Sequence, residues 1–166
     1  MTRTGHRARG FTLAEALLAA AILSFSVAAI AQAVVAGQMH TYEALHQLRG
    51  MTLAEALMEE ILAQPWDDPN DTSAPGPEAD ELNRTLLDNM DDYHGFTQAA
   101  GDVADAAGQV YGSKFTRFAR SATVAAATKA ITELGGDDID GLSITVTVTD
   151  DRGMTWTLTR FVPQPQ

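Results

Sequence analysis

From Ala16 to Ala36 the chain is apolar over 21 residues, with Ser24, Ser26 and Gln32 as its only strongly polar members. As an α-helix such a run spans about 31 Å, close to the thickness of one bilayer hydrocarbon core. Arg3, Arg7 and Arg9 precede it, and the first ten residues contain no acid. The positive-inside rule therefore keeps the amino terminus in the cytoplasm and sends the C-terminal part across. One carboxylate, Glu15, sits at the front edge of the run. A charge is costly there, so its presence points to a function.

The residues joining the basic leader to the apolar run are Arg9-Gly10-Phe11-Thr12-Leu13-Ala14-Glu15. Gly-Phe-Thr-Leu-x-Glu ahead of such a helix resembles the prepilin signal of type IV pilins and type II secretion pseudopilins. The resemblance covers roughly the first 36 residues. It implies that a prepilin peptidase cuts between Gly10 and Phe11 and methylates the new amino group of Phe11. It also implies that Glu15 pairs with the terminal amine of a neighbouring subunit during filament assembly. Either charge buried alone would be costly, and pairing offsets much of that cost. Taken singly, Gly10 could be a loop glycine, Phe11 an interfacial aromatic and Glu15 a charge snorkelling to the headgroups. The ordered set, directly before a span-length apolar run, favours the motif.

The chain holds its own control. Gly50-Met51-Thr52-Leu53-Ala54-Glu55-Ala56-Leu57 nearly repeats Gly10 to Leu17. Glu59, Glu60 and Pro65 follow it, and no apolar run does, so it cannot be a second insertion signal. One copy does not make a repeat architecture. The rival for the amino terminus is an ordinary secretory signal cut near Ala33, after Ala31-Gln32-Ala33. That cut would release a soluble secreted binding protein starting at Val34. The apolar run is longer than the core of such signals, and Glu15 stands at its front. A membrane-tethered receptor or DNA-uptake pilin is a further alternative. A formal net charge of −11 disfavours it and any broad nucleic-acid surface, so no nucleic-acid partner is expected. Cysteine is absent, so the translocated part is held by packing or partners rather than disulfides. Many major pilins carry a C-terminal disulfide loop and a proline within the apolar helix. This chain lacks both, which leans towards a pseudopilin or minor pilin.

The expected fold is α+β: one long amino-terminal helix, apolar in its membrane half and amphipathic beyond, packed on a small antiparallel sheet head. The segments are a basic leader (1–10), a membrane or filament-core helix (11–36), its amphipathic continuation (37–64), an acidic Pro/Gly-rich loop region (65–113) and the sheet (114–166). No proline occurs before Pro65, and good helix formers dominate from Gln38 to Ala63. Leu53, Leu57 and Ile61 recur at helical spacing, with Glu55 and Glu59 on the other side. Gly37 and Gly50 are candidate bends. Leu82, Leu86 and Met90 suggest a short helix over about 77–89. Asp88-Asn89-Met90-Asp91-Asp92-Tyr93-His94-Gly95-Phe96 is similar to a stretch that follows the helix in some minor pilin-like proteins. Leu142, Ile144, Val146 and Val148 alternate with Ser143, Thr145, Thr147 and Thr149, the period of a half-buried strand. Asp150-Asp151-Arg152-Gly153 reads as a tight turn, and Met154, Trp156 and Leu158 mark the return strand. Lys114 to Val124 adds a third strand, and Ala125 to Leu134 a short helix or loop. The apolar sheet face needs a cover, for which Leu53, Leu57 and Ile61 are available.

No catalytic chemistry is legible, and the chain reads as a structural subunit rather than an enzyme. His6, His40, His46 and His94 make no metal-ligand spacing, and neither a nucleophile elbow nor a phosphate loop occurs. His94 reads as a loop residue, and Asp91 and Asp92 as solvated or turn-forming. No cofactor is expected. Calcium is the one ion whose hard oxygen ligands the acidic clusters could supply: Asp67, Asp68 and Asp71; Asp88, Asp91 and Asp92; Asp137, Asp138 and Asp140. None of them forms a complete EF-hand loop, and turn formation accounts for each. The expected partners are the prepilin peptidase, other pilin or pseudopilin subunits and the bacterial inner membrane, with the head periplasmic or extracellular after assembly.

Overall fold

The computed structural model describes residues 11–66, 75–78, 81, 83–130 and 138–165. One helix, α1 (Leu13–Leu62), is followed by three short 3-10 turns (Arg84–Leu86, Asp91–Tyr93 and Ser113–Phe115) and four strands. The strands are β1 (Thr97–Gln98), β2 (Phe118–Ala130), β3 (Asp138–Asp150) and β4 (Thr155–Pro163). Residues up to Leu45 and residues from His46 onward form two separate compact units.

In the first unit, every residue from Phe11 to Tyr42 is exposed. The helix here is long and apolar enough to cross a membrane. Its two serines do not break that character. Ser24 Oγ donates to Ala20 O at 2.7 Å and Ser26 Oγ to Ile22 O at 2.9 Å, so both hydroxyls are satisfied within the helix. Helical segments with no apolar partner inside their own chain must find lipid or another protein.

In the second unit, the end of α1 buries His46, Gly50, Leu53, Ala54, Leu57, Met58 and Ile61. These lie on one side of the helix by 3.6-residue spacing, while Glu55 and Glu59 are exposed. The helix stops three residues short of Pro65, as a residue lacking a backbone N–H requires. The sheet is antiparallel throughout, in the order β1-β2-β3-β4. Ile144, Val146 and Val148 of β3 pair with Val124, Ala122 and Arg120 of β2. The three β3 residues are fully buried, in one cluster with Leu53, Leu57 and Ile61. The helix stripe thus covers the apolar sheet face, as the spacing implied. On the outer face Thr145 meets Thr159 and Thr147 meets Thr157, with hydroxyl separations of 3.2 and 3.4 Å. The hairpin turn after Asp150 closes with Gly153 at φ +80°, the left-handed region that favours glycine.

Four expectations need correction. The third strand does not run from Lys114 to Val124: β2 begins at Phe118, after a 3-10 turn, and continues to Ala130. Residues Ala125–Ala130, expected as helix or loop, are therefore strand, paired with Asp138–Ser143. An alanine run carries little β preference of its own, and pairing against β3 overrides it. Residues 131–134 lie outside the described set. The short helix expected over 77–89 is absent from its described residues apart from the Arg84–Leu86 turn, and Leu82 lies outside them. Leu86 is exposed, and the core is met instead at Leu87, Met90 and Tyr93. Residues 65–113 are not all loop, since β1 pairs with β2 through Thr97↔Ser121 and Gln98↔Arg120.

Gly37 and Gly50 do not interrupt α1. Gly50 is there for space: a Cβ would lie 2.6 Å from Cδ2 and Cε3 of the Trp156 ring. At Gly37 a Cβ would meet nothing within 4 Å. Gly50→Ala is therefore expected to destabilise the fold despite the better helix propensity. Overpacking costs about 1–3 kcal/mol against about 1 kcal/mol gained in the helix. Gly37→Ala should not lower the melting temperature of the detergent-solubilised chain. Equal melting of Gly50→Ala and the parent would show that Trp156 moves aside freely.

Candidate functional site

At the amino terminus, Thr12 and Glu15 form a reciprocal cap on α1. Glu15 Oε2 accepts from the Thr12 backbone N–H and from Thr12 Oγ1, both at 2.9 Å, and the Glu15 N–H points back at Thr12 Oγ1 at 3.3 Å. This is a capping box, with Thr12 at the N-cap and Glu15 three residues on. It satisfies backbone donors that would otherwise be orphaned at a helix end bound for an apolar setting. The carboxylate also complements the positive end of the helix dipole. The T-x-x-E spacing was available in the sequence, but the motif drew attention to Glu15 alone. Phe11, next to the cap, is 84% exposed. Gly10 and the arginines of the leader lie outside the described residues. Chemically, the arrangement places a carboxylate one helical turn from any amine created at Phe11, and fixes the backbone between them.

The second unit is fastened by buried polar groups that sequence reasoning did not find. His46 Nε2 lies 2.8 Å from Asp150 Oδ2, with its ring stacked on Phe118 at 4.7 Å between centroids. Asp150 Oδ1 accepts the backbone N–H groups of Arg152 and Met154. Burial alone would raise the Asp150 carboxyl. The bonds from His46, from the Met154 N–H and from Arg152 outweigh it and hold the group well below the usual carboxylate range. Glu60 on α1 receives both Arg84 Nε, at 2.6 Å, and Arg84 Nη2, and also the Tyr93 hydroxyl at 2.9 Å. Burial, with Glu60 beside it, pushes the Tyr93 phenol up to about 12. Arg120 is almost fully buried and donates to Gln98 Oε1, to Leu53 O and to Ala104 O. These partners are 16 to 67 residues apart in the chain, so no local pattern announces them.

Among the expected acidic clusters, Asp67, Asp68, Asp71 and Asp137 lie outside the described residues. Asp138 and Asp140 are exposed, and Asp140 Oδ1 accepts from Thr128 Oγ1 at 2.7 Å. Asp92 is turn-forming, as expected, but it is not solvated: it is 2% exposed. Its Oδ2 receives the N–H groups of Asp88 and Asn89, because the Asp91–Tyr93 turn must bring Tyr93 into the core. His94 is a loop residue whose Nδ1 lies 2.5 Å from Val124 O. The structure instead brings Glu78 and Glu81 up to Asp92. Burial pushes the Glu81 carboxyl up to about 7, with the charges of Asp92 and Glu78 adding to it. The Glu78-x-x-Glu81 spacing was the only local sign of this group.

Comparison with known proteins adds one match. The family model for the prokaryotic N-terminal methylation motif fits residues 5–31. Searches of curated proteins and of solved structures return nothing that matches the chain. The matched segment holds Gly10, Phe11, Thr12 and Glu15 and most of the exposed apolar helix. The chain therefore carries a prokaryotic amino-terminal methylation motif, leading into a helix long and apolar enough to cross a membrane.

Proposed function

We propose that the protein is a structural subunit, a minor pilin or pseudopilin, of a type IV pilus-like or type II secretion filament. One observation carries the reading: the methylation motif at residues 5–31 leads into a helix whose residues from Phe11 to Tyr42 are all exposed. Such a surface needs lipid before assembly and other subunits after it. Arg3, Arg7 and Arg9 hold the leader on the cytoplasmic side of the inner membrane, so the second unit is periplasmic. Prepilin peptidase cuts between Gly10 and Phe11 and methylates Phe11. Glu15 then meets the terminal amine of a neighbouring subunit, and this pairing sets the axial register of one helix against the next.

Processing tests this directly. Co-expression with a prepilin peptidase is expected to give a mature chain beginning at N-methyl-Phe11, read by intact mass and N-terminal analysis. A terminus at Val34 would establish the secretory cut instead and remove the filament reading. An uncut, unmethylated chain would remove it equally.

A further inference from the structure

The two edges of the sheet are finished differently. On the β2 side, β1 pairs with Ser121 and Arg120, and the chain before β1 continues the cover. Gly95 N–H donates to Ala122 O, Phe96 O accepts the Ala122 N–H, and His94 Nδ1 lies against Val124 O. On the other side β4 is the last strand. Its pairing with β3 fixes which way its backbone points. Bonds from the Asp150 N–H to Met154 O and from the Gln164 N–H to Asp140 O extend the ladder through even-numbered residues of β4. Backbone groups alternate in direction along an antiparallel strand, so the N–H and C=O of Thr155, Thr157, Thr159 and Phe161 point away from the sheet. No hydrogen bond joins these outward groups to another described residue. Natural sheet edges are blunted by lysine, proline, a bulge, shortness or a cover. β4 has 9 residues, pairs with β3 without a break, has no lysine, and reaches its one proline only at its last position. The core cover also thins here. Trp156, Leu158 and Val162 are half-buried, whereas Ile144, Val146 and Val148 beside them on β3 are fully buried.

We propose that β4 pairs antiparallel with β4 of a second copy, centred on Thr157, and joins two sheets into one. The strand is self-complementary in that register. Thr157 meets its own counterpart, and Thr155 meets the second copy's Thr159. The outer face already carries the threonine rows Thr149↔Thr155, Thr147↔Thr157 and Thr145↔Thr159, and each row runs on as threonine across the joint. Threonine opposite threonine is a favourable cross-strand pair. On the inner face Trp156 meets the second copy's Leu158, an apolar pair that covers two of the half-buried side chains. Arg160, the one charged residue of β4, meets the second copy's Met154, so no like charges stand opposite. Moving the register by two residues sets Thr155 against Phe161 and breaks the threonine rows. The contact uses the same patch on both copies, so it closes at two and does not propagate.

The chain has no cysteine, so single cysteines report the pairing without background. The test oxidises the full chain mildly in detergent and separates it on a non-reducing gel. Opposed residues of a hydrogen-bonded antiparallel pair have Cα atoms about 5.5 Å apart, within disulfide reach. Thr157→Cys is therefore expected to give a cross-linked dimer. Thr147→Cys, one strand further in on the same face, should stay monomeric, because about three strand spacings, ~14 Å, separate it from its counterpart. Thr155→Cys and Thr159→Cys should each stay monomeric alone and cross-link when the two chains are mixed. Association through the apolar helix would not single out these positions. Thr159→Pro, added to Thr157→Cys, removes an outward N–H and leaves the β3 ladder intact. It is expected to abolish the cross-link while the melting temperature stays at the parent's. A monomeric Thr157→Cys chain would overturn the pairing and leave the edge to a strand of another protein. Equal cross-linking of Thr147→Cys, or no product from the mixed chains, would overturn it as well.

Discussion

Leu57→Asp is expected to cost the second unit about 3–5 kcal/mol, a large part of the stability of a typical small domain. Leu57 has no exposed surface and lies in one buried cluster with Ile144, Val146 and Val148. The aspartate would put a charge into a cluster of apolar side chains. The buried Arg120 is already bound to Gln98, Leu53 O and Ala104 O. The chain lacking residues 1–36 suits the measurement, because the exposed apolar part of α1 contributes nothing to this core; it is expected to be soluble and folded. Urea unfolding should then show a much lower midpoint for Leu57→Asp, while Glu55→Ala on the exposed side shifts it by no more than about 0.5 kcal/mol. Equal midpoints for Leu57→Asp and its parent would mean that α1 does not cover the sheet in solution.

What could be read from the chain, and what could not, divides by the range of the interactions. The stripe Leu53, Leu57, Ile61 and the alternation from Leu142 to Val148 are local periodic signals, and each names its own buried face. Even the near-copy of the amino-terminal motif finds a physical use, since its Gly50, Leu53 and Leu57 are the residues that meet Trp156 and the core. The Ala125–Ala130 part of β2 was illegible because its alanines lean towards helix, and only pairing with β3 makes it strand. Glu60, Arg84, Arg120 and the pair His46–Asp150 look in sequence like ordinary surface charges. Their burial follows from contacts between distant segments, which composition and spacing do not encode. Asp92 stands in a run of acids that is conspicuous in the sequence, while Glu78 and Glu81 reach it only through the fold.

Glu15→Leu is expected to insert and be cleaved normally, yet to be lost from assembled filaments. Insertion should not suffer, because the change removes a charge from an apolar segment. Assembly should, because the neighbour's terminal amine would enter the helix bundle without a counter-charge. The structure adds an objection that the experiment has to meet. Glu15 caps its own helix through Thr12, so a defect could come from a frayed helix end, worth about 1 kcal/mol, rather than from lost pairing. Thr12→Ala separates the two. It removes the hydroxyl that shares the cap and leaves the carboxylate in place. If pairing is the role of Glu15, Thr12→Ala enters sheared filaments at close to the parent's level while Glu15→Leu is absent from them. Glu15→Asp, which keeps the charge on a shorter arm, should fall between. Equal defects in Thr12→Ala and Glu15→Leu would make Glu15 a capping residue, and normal incorporation of Glu15→Leu would leave it no part in assembly.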